Sequence, residues 1–425
     1  MSKRTTDKRG RPVVAVTGMG VVTSLGVGKQ DNWAELTAGK SGIHRITRFP
    51  TEGLRTTIAG TVDTLRIAEP FTAPNISHEL ARLAASEAIG QSNLGSKGDF
   101  PGQLFMAVPP VEVEWPQRAA MAYAGGNGEL TYKDVLKGAA TGKFRALHEL
   151  FLFGTVADRI ADEFGSRGSP ISLSTACSSG ATAIQLGVEA IRRGETQAAL
   201  CIGTDGSVHA EALIRFSLLS ALSTQNDPPE AAAKPFSKNR DGFVMGEGAG
   251  ALVLEDYDHA VARGATILGF LAGCGEMGDG FHRTRSSPDG KPIIGAIKAA
   301  LDDARLRPDQ IDTINAHGTS TPENDKMEAM GCLAIFGEKT PPITSNKSMI
   351  GHTLTAAGAV EAVFSLLSMA HGRIPPTINY HLPDPLIAVD IVANAPRDCR
   401  IGSVLSNSFG FGGQNTCLVM TAERH

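Results

Sequence analysis

No two cysteines in this chain stand in a C-x-x-C spacing; the six lie at 177, 201, 274, 332, 399 and 417. That excludes the common zinc-site and thioredoxin-type signatures and makes a reducing cytoplasm the expected setting. No apolar run approaches the ~20 residues of a membrane-spanning helix. The start, Met1 to Arg9, is basic, yet no apolar segment of signal-peptide length follows it. Charge of one sign is also missing: the net charge is −4, so no nucleic-acid footprint is expected. Nor is there a fixed-period repeat that would signal a solenoid.

What is present fits a soluble globular chain. Apolar residues make up 42% and charged residues 20% of the 425 positions, ample for a large core and two domain-sized halves, 1–265 and 266–425. The 48 glycines imply many tight turns and close backbone contacts. Strand-like and helix-like stretches alternate, which argues for an α/β architecture with helix-covered sheets. In the first half, strands are expected at Val13–Thr17, Ala198–Gly203 and Ala251–Glu255, with a helix at His78–Ile89. In the second, Thr266–Gly273, Ile311–Ala316, Ile343–Ser345, Val404–Ser406 and Thr416–Thr421 read as strands, and Ile293–Asp303, Asn324–Phe336 and Leu354–Ala370 as helices.

Two phosphate-binding look-alikes fail. Gly18-Met19-Gly20 closes the first strand like a dinucleotide fingerprint, but Thr23 stands where the third glycine belongs. Ala38-Gly39-Lys40-Ser41 imitates the end of a P-loop, yet Ala34 holds the place of its first glycine. Residues 98–150 resist assignment. Pro109 to Pro116 excludes a regular helix and suggests an edge or covering loop, and Gly125 to Gly128 a turn.

The strongest local signal is Ile171-Ser-Leu-Ser-Thr-Ala-Cys177-Ser-Ser-Gly180. Residues 171–174 alternate like a strand end, and Ala181, Ile184, Val188 and Ile191 recur at helical spacing. Cys177 is therefore expected on a strand-to-helix turn, where the helix N-terminus favours thiolate. Taken alone, it reads sooner as a small buried residue in a Ser/Ala-rich turn. Three further stretches change that balance. Asn315 to Thr321 places His317 at a strand's C-terminal end, where open α/β sheets put ligands. Ser345 to His352 places Lys347 and His352 just before a long helix, and Ser406 to Gly413 is a glycine-rich loop carrying Phe409 and Phe411.

On these residues the chain resembles a β-ketoacyl-acyl-carrier-protein synthase of the elongating, II-like type, in the thiolase superfamily. The resemblance runs nearly end to end and rests on Thr175-Ala-Cys177-Ser-Ser-Gly180, Arg240 to Gly250, Asn315-Ala-His317-Gly-Thr-Ser-Thr-Pro322, Asn346-Lys347 to His352 and Asn407-Ser-Phe-Gly-Phe-Gly-Gly413. It implies a five-layered αβαβα fold of two duplicated halves, a homodimer, and acyl- and malonyl-carrier proteins as partners. No bound cofactor is implied, since phosphopantetheine arrives on the carrier. Cys177 would take the acyl group, and the backbone N–H groups of Cys177 and Phe411 would hold the oxyanion. Neutral His317 and His352 would each donate an N–H to the enolate left by malonyl decarboxylation, each worth about 3 kcal/mol. Lys347 and Glu361 match the family's supporting ion pair, Thr319 and Thr321 the hydroxyls along the pantetheine arm, and Phe411 the gate. Phe216 and Phe409 match substrate-side and supporting positions. Asn315, Glu361, Ser406 and Asn407 match positions that hold a structural monovalent cation.

There are departures from the family pattern. Phe105 to Lys143 does not resemble the usual glycine-rich border of the acyl pocket. Ser220 stands where a carrier-docking arginine is usual, the helix near His78 lacks lysines, and Gln414 replaces a common threonine; Lys143 and Arg145 remain as docking candidates. The expected activity is condensation in fatty acid elongation, specialised for long or very long chains. The alternatives are a polyketide ketosynthase and an inert, chain-length-factor-like subunit; an intact Cys177 with both histidines argues against the latter. A CoA-dependent thiolase would need a second catalytic cysteine.

Overall fold

The computed structural model describes residues 4–67, 71–126 and 130–424. Ten strands build its main sheet: β1 (Val14–Thr23), β2 (Gln103–Ala107), β3 (Ile171–Leu173), β4 (Ala198–Asp205), β5 (Gly248–Asp256), β6 (Gly269–Gly278), β7 (Thr313–Asn315), β8 (Ile343–Thr344), β9 (Ser403–Phe409) and β10 (Gln414–Thr421). Their order is β8-β7-β9-β10-β6-β1-β5-β4-β2-β3, with Gly26–Val27 added beside β1. The two sets of five repeat each other. From the centre outward, β1-β5-β4-β2-β3 and β6-β10-β9-β7-β8 have the same pairing senses: antiparallel, antiparallel, parallel, parallel. They join where Ala15 and Val16 pair antiparallel with Phe270 and Gly269.

The helices are α1 (Lys29–Thr37), α2 (Ala73–Ser92), α3 (Trp115–Gly125), α4 (Tyr132–Ala140), α5 (Arg145–Leu150), α6 (Thr155–Phe164), α7 (Ser179–Arg192), α8 (Ala210–Leu218), α9 (Tyr257–Ala262), α10 (Lys291–Ala304), α11 (Pro322–Phe336), α12 (Lys347–Ile350) and α13 (Ala357–His371). Layering follows from strand alternation. On β5, Leu252 and Leu254 face the inner core with α7 and α13, while Ala251 and Val253 face α2 and α6. On β10, Leu418 and Met420 face inward, and Cys417 and Val419 face α10 and α11. The result is α2/α6, sheet, α7/α13, sheet, α10/α11: the expected five layers.

α7 and α13 cross at reciprocal small residues. A Cβ on Gly180 would lie 2.6 Å from the Ala359 nitrogen, and one on Gly358 2.5 Å from the Ala181 nitrogen. Only glycine lets these backbones meet, and that contact brings the two helix starts together. The stretch Leu354–His371, which includes α13, is apolar and long enough to cross a membrane by composition. It is buried because sheets cover both its faces, which is why it is apolar all round.

Several boundaries differ from the sequence reading. The first strand does not stop at Gly18-Met19-Gly20 but runs to Thr23. Cβ atoms on Gly18 and Gly20 would sit 2.0 Å and 2.1 Å from the Ala88 and Ala84 carbonyl oxygens, so these glycines admit α2, not a nucleotide. Phe409 ends strand β9, paired with Asn415, so the flexible loop shrinks to Gly410–Gly413. Within 98–150 the structure adds strand β2 and helices α3 to α5; Pro109–Glu114 is a loop as expected, and α3 starts at Trp115. The predicted turn at 125–128 falls partly outside the described residues.

Candidate active site

Cys177 follows β3 and precedes α7, on the expected elbow. Ala176 takes φ +50°, in the left-handed region that disfavours a Cβ. Hydroxyls hold the turn: Ser178 donates to the Thr175 carbonyl at 2.8 Å, and Ser179 Oγ accepts from the Thr175 N–H at 2.7 Å. Gly410 packs on this elbow, where a Cβ would stand 2.9 Å from the Thr175 oxygen and 3.3 Å from the Cys177 nitrogen. The fit brings the Phe411 N–H onto the Cys177 sulfur.

The two histidines arrive from the other half. His317 follows β7, and Glu328 of α11 fixes its loop by accepting the His317 and Gly318 N–H groups at 2.8 and 2.7 Å. Asn407 of β9 holds the same carboxylate at 3.0 Å. His352 sits between α12 and α13. Its N–H donates to the Val244 carbonyl at 2.7 Å and its carbonyl accepts from Gly246 at 2.9 Å. This explains the glycine-dense stretch after Arg240: a Cβ on Gly246 would lie 2.4 Å from the Ile350 oxygen. His352 Nδ1 accepts the Leu354 N–H at 3.2 Å, which assigns its proton to Nε2, a buried donor without a partner among the described residues. His317 Nδ1 is likewise buried and unpartnered. One ligand atom each of Cys177, His317 and His352 lies within 4.8 Å of the others.

Burial, aided by the Lys347 charge, holds both imidazoles well below the ordinary histidine range, so both are neutral at neutral pH. Cys177 corrects the sequence expectation. Burial pushes its thiol up to about 11, while the Phe411 N–H and the Lys347 charge pull the other way. Cys177 therefore rests as a thiol: here desolvation outweighs the helix end. Lys347 and Glu361 form a fully buried ion pair, and burial pushes the Glu361 carboxyl up to about 7 against the pull of Lys347.

The cleft above Cys177 has a volume of about 640 Å³ including its open mouth. Phe216, Phe243, His317, Thr319, Thr321, His352, Phe409 and Phe411 line it. Thr319 and Thr321 share a hydrogen bond at 2.9 Å. Phe409 meets His317 edge-on at 5.9 Å; Phe216 and His352 flank Phe243 at 5.3 and 5.4 Å. Lys143 and Arg145 are exposed and do not line the cleft.

Asn315 and Ser406 pair in register, and Asn315 Oδ1 and Glu361 Oε2 are buried acceptors with no partner among the described residues. An oxygen set of this kind fits the monovalent cation implied at Asn315, Glu361, Ser406 and Asn407. Sequence reasoning missed Glu328 and Asp325, which brace the His317 loop. Asp325 accepts the Ser320 N–H at 3.2 Å and the Phe236 N–H at 2.7 Å. Their only signal was a pair of acids one turn apart on the helix after His317.

Comparison with known proteins agrees with this geometry. The model for the β-ketoacyl synthase N-terminal domain matches residues 11–89 and 113–260, and the C-terminal domain model matches 268–381. The chain is 36% identical to 3-oxoacyl-[acyl-carrier-protein] synthase 2 of Coxiella burnetii, over 96% of this chain and 98% of that protein. It is 35% identical to putative polyketide beta-ketoacyl synthase 1 of Streptomyces cyaneus, over 96% and 97%. A ketosynthase solved with its type II polyketide acyl-carrier protein superposes with a TM-score of 0.83 at 31% identity, covering 97% of this chain and 100% of that one. With both domain models in register around a Cys-His-His centre shared between duplicated halves, the chain belongs to the β-ketoacyl synthase family.

Proposed function

We propose that the chain is a 3-oxoacyl-[acyl-carrier-protein] synthase that joins an acyl group to malonyl-carrier protein with loss of CO₂. The observation that carries this reading is the meeting of Cys177, His317 and His352 at the cleft floor, with the Phe411 N–H on the sulfur. Cys177 attacks the acyl thioester, and its proton leaves with the carrier thiol. The N–H groups of Cys177 and Phe411 stabilise the tetrahedral oxyanion. Malonyl-carrier protein then loses CO₂. The enolate oxygen needs donors rather than a strong base, and the unpartnered His352 Nε2–H supplies one, with neutral His317 beside it. The carbanion attacks the acyl-Cys177 carbonyl, the C–S bond breaks, and the 3-oxoacyl product leaves on the second carrier. Burial, aided by Lys347 in its pair with Glu361, keeps both imidazoles neutral.

A second copy of the chain as partner is supported by β3, the outermost strand of the sheet, where Ile171 is 45% exposed. Six unpaired cysteines suit a reducing cytoplasm. A polyketide role is the second reading, because the Streptomyces relative matches over the same span at nearly the same identity. Long-chain specialisation rests on the departure from the family pattern over Phe105–Lys143, including Pro109–Pro116, where Glu114 is buried against the Ala73 N–H. Intact-protein mass spectrometry after incubation with carriers of different acyl lengths tests the condensing, polyketide and long-chain readings. Acylation at Cys177 from long saturated acyl carriers, followed by CO₂ release from malonyl carrier, is the expected result. Absence of an acyl adduct, or its appearance in Cys177→Ser, would overturn the reading.

A further inference from the structure

The segment between β6 and α10 forms one wall of the catalytic cleft and carries Arg283 and Arg285. Both are exposed, and neither guanidinium makes an ion pair or a hydrogen bond to another described residue. Many surface arginines here are paired, for example Arg193 with Glu195 and Arg397 with Asp390. The acids near the wall leave these two free. Asp279 is taken up by the N–H groups of Phe281 and Ser287, at 3.0 and 2.7 Å, and Glu323 on the opposite rim makes no ion pair. Thr321, the N-cap of the fifteen-residue α11, brings a helix N-terminus to the same rim. The segment is fixed in place: the Arg283 carbonyl accepts the Gly412 N–H at 2.7 Å.

We propose that Arg283 and Arg285 form an anion subsite at the cleft mouth that takes the phosphate of the carrier's thiol-bearing arm. A guanidinium fork matches phosphate oxygens, and two forks on one wall give a phosphodiester two-sided contact. This rests on the proposed function, which brings the acyl group in on such an arm past Thr319 and Thr321. It also answers a charge question, because Ser220, Lys143 and Arg145 put no cation in the cleft.

The test compares acyl-phosphopantetheine with acyl-pantetheine, identical but for the phosphate, as donors to Cys177. The wild-type preference in kcat/KM for the phosphorylated donor is expected to be about tenfold, and to fall to near unity in Arg283→Ala/Arg285→Ala. Arg283→Lys/Arg285→Lys should keep part of it. Melting temperatures confirm that the variants fold. An unchanged preference in the alanine variant overturns the subsite. So does a loss seen only with acyl-carrier protein, which would assign the arginines to the carrier's acidic surface. If no donor acylates wild-type Cys177, the condensing function fails, and calorimetric titration with phosphopantetheine and pantetheine still decides the subsite. A tenfold affinity gap lost in the alanine variant supports it, and equal affinities overturn it.

Discussion

Gly410→Ala tests the oxyanion geometry without touching a reacting group. Gly410 sits between the Cys177 elbow and the start of β10. An added Cβ would lie 2.9 Å from the Thr175 oxygen, 3.1 Å from the Gln414 oxygen and 3.3 Å from the Cys177 nitrogen. All three are backbone atoms, so no side-chain rotation relieves the overlap. Reaching 3.4 Å, where contacts become ordinary, requires the Gly410–Gly413 loop to retreat from the elbow by about 0.5 Å. Phe411 is the next residue, so its N–H retreats with it from the site where charge develops. Complete removal of one such donor costs about a hundredfold to a thousandfold in rate, so a half-ångström displacement should cost about tenfold to a hundredfold. The assay is single-turnover acylation followed by intact mass, with a thermal melt as a folding control. Acylation within twofold of wild type in a folded variant would refute the donor role of the Phe411 N–H.

Two predictions follow from the electrostatics. With the Cys177 thiol near 11, alkylation by iodoacetamide should keep accelerating from pH 8 to pH 10; a plateau below pH 8 would mean the helix end outweighs desolvation. His317 and His352 are held neutral in the folded state, below the ordinary 6.5. As pH falls below 6.5 the unfolded chain binds these protons first, so the stability present above that pH is lost, at up to about 1.4 kcal/mol per unit for each histidine. Urea denaturation at pH 7.5 and 5.5 should therefore show wild type losing about 1 kcal/mol more than His317→Asn, and equal losses would refute it.

Legibility tracked locality. The Cys177 elbow could be read because a two-residue alternation gives way to helical spacing within ten residues. His317, Lys347 and His352 stood out as polar groups among glycines at element ends. The β2 strand and helices α3 to α6 were lost because proline and glycine dominate their surroundings, although Val156, Ala157, Ile160 and Phe164 do mark the buried face of α6. The first strand was cut short for a different reason. Gly18 and Gly20 are dictated by the Ala84 and Ala88 carbonyls of a helix some seventy residues on, a contact with no local trace. Asp205 acts the same way on the Thr355 N–H, 150 residues on, and Glu328 on the remote Asn407 side chain. The Cys177 acidity was misjudged because sequence reveals the helix start but not how deeply the sulfur is buried.

The duplicated scaffold explains why one chain has one such centre and not two. Helix α7 starts two residues after Cys177, and α13 starts two residues after Thr355, with Gly180-Ala181 and Gly358-Ala359 meeting at the crossing. By topology, Thr355 is the second half's counterpart of Cys177. The strand ends behave alike as well. The loop after β9 brings the Phe411 N–H to Cys177, and the end of β4 brings Asp205 to Thr355, accepting its N–H at 3.1 Å and its hydroxyl at 2.7 Å. One half thus presents an N–H donor to a thiol, and the other presents a buried carboxylate to a hydroxyl. A thiolate at 355 would meet the Asp205 carboxylate directly, whereas at Cys177 the Phe411 N–H and the Lys347 charge each outweigh the more distant Asp205 charge. The second half-site anchors the start of α13 and so the position of His352, three residues before Thr355. The symmetric fold supplies two equivalent elbows; the exchange of donor for acceptor at the strand end suits the proposed chemistry at Cys177 and a purely supporting contact at Thr355.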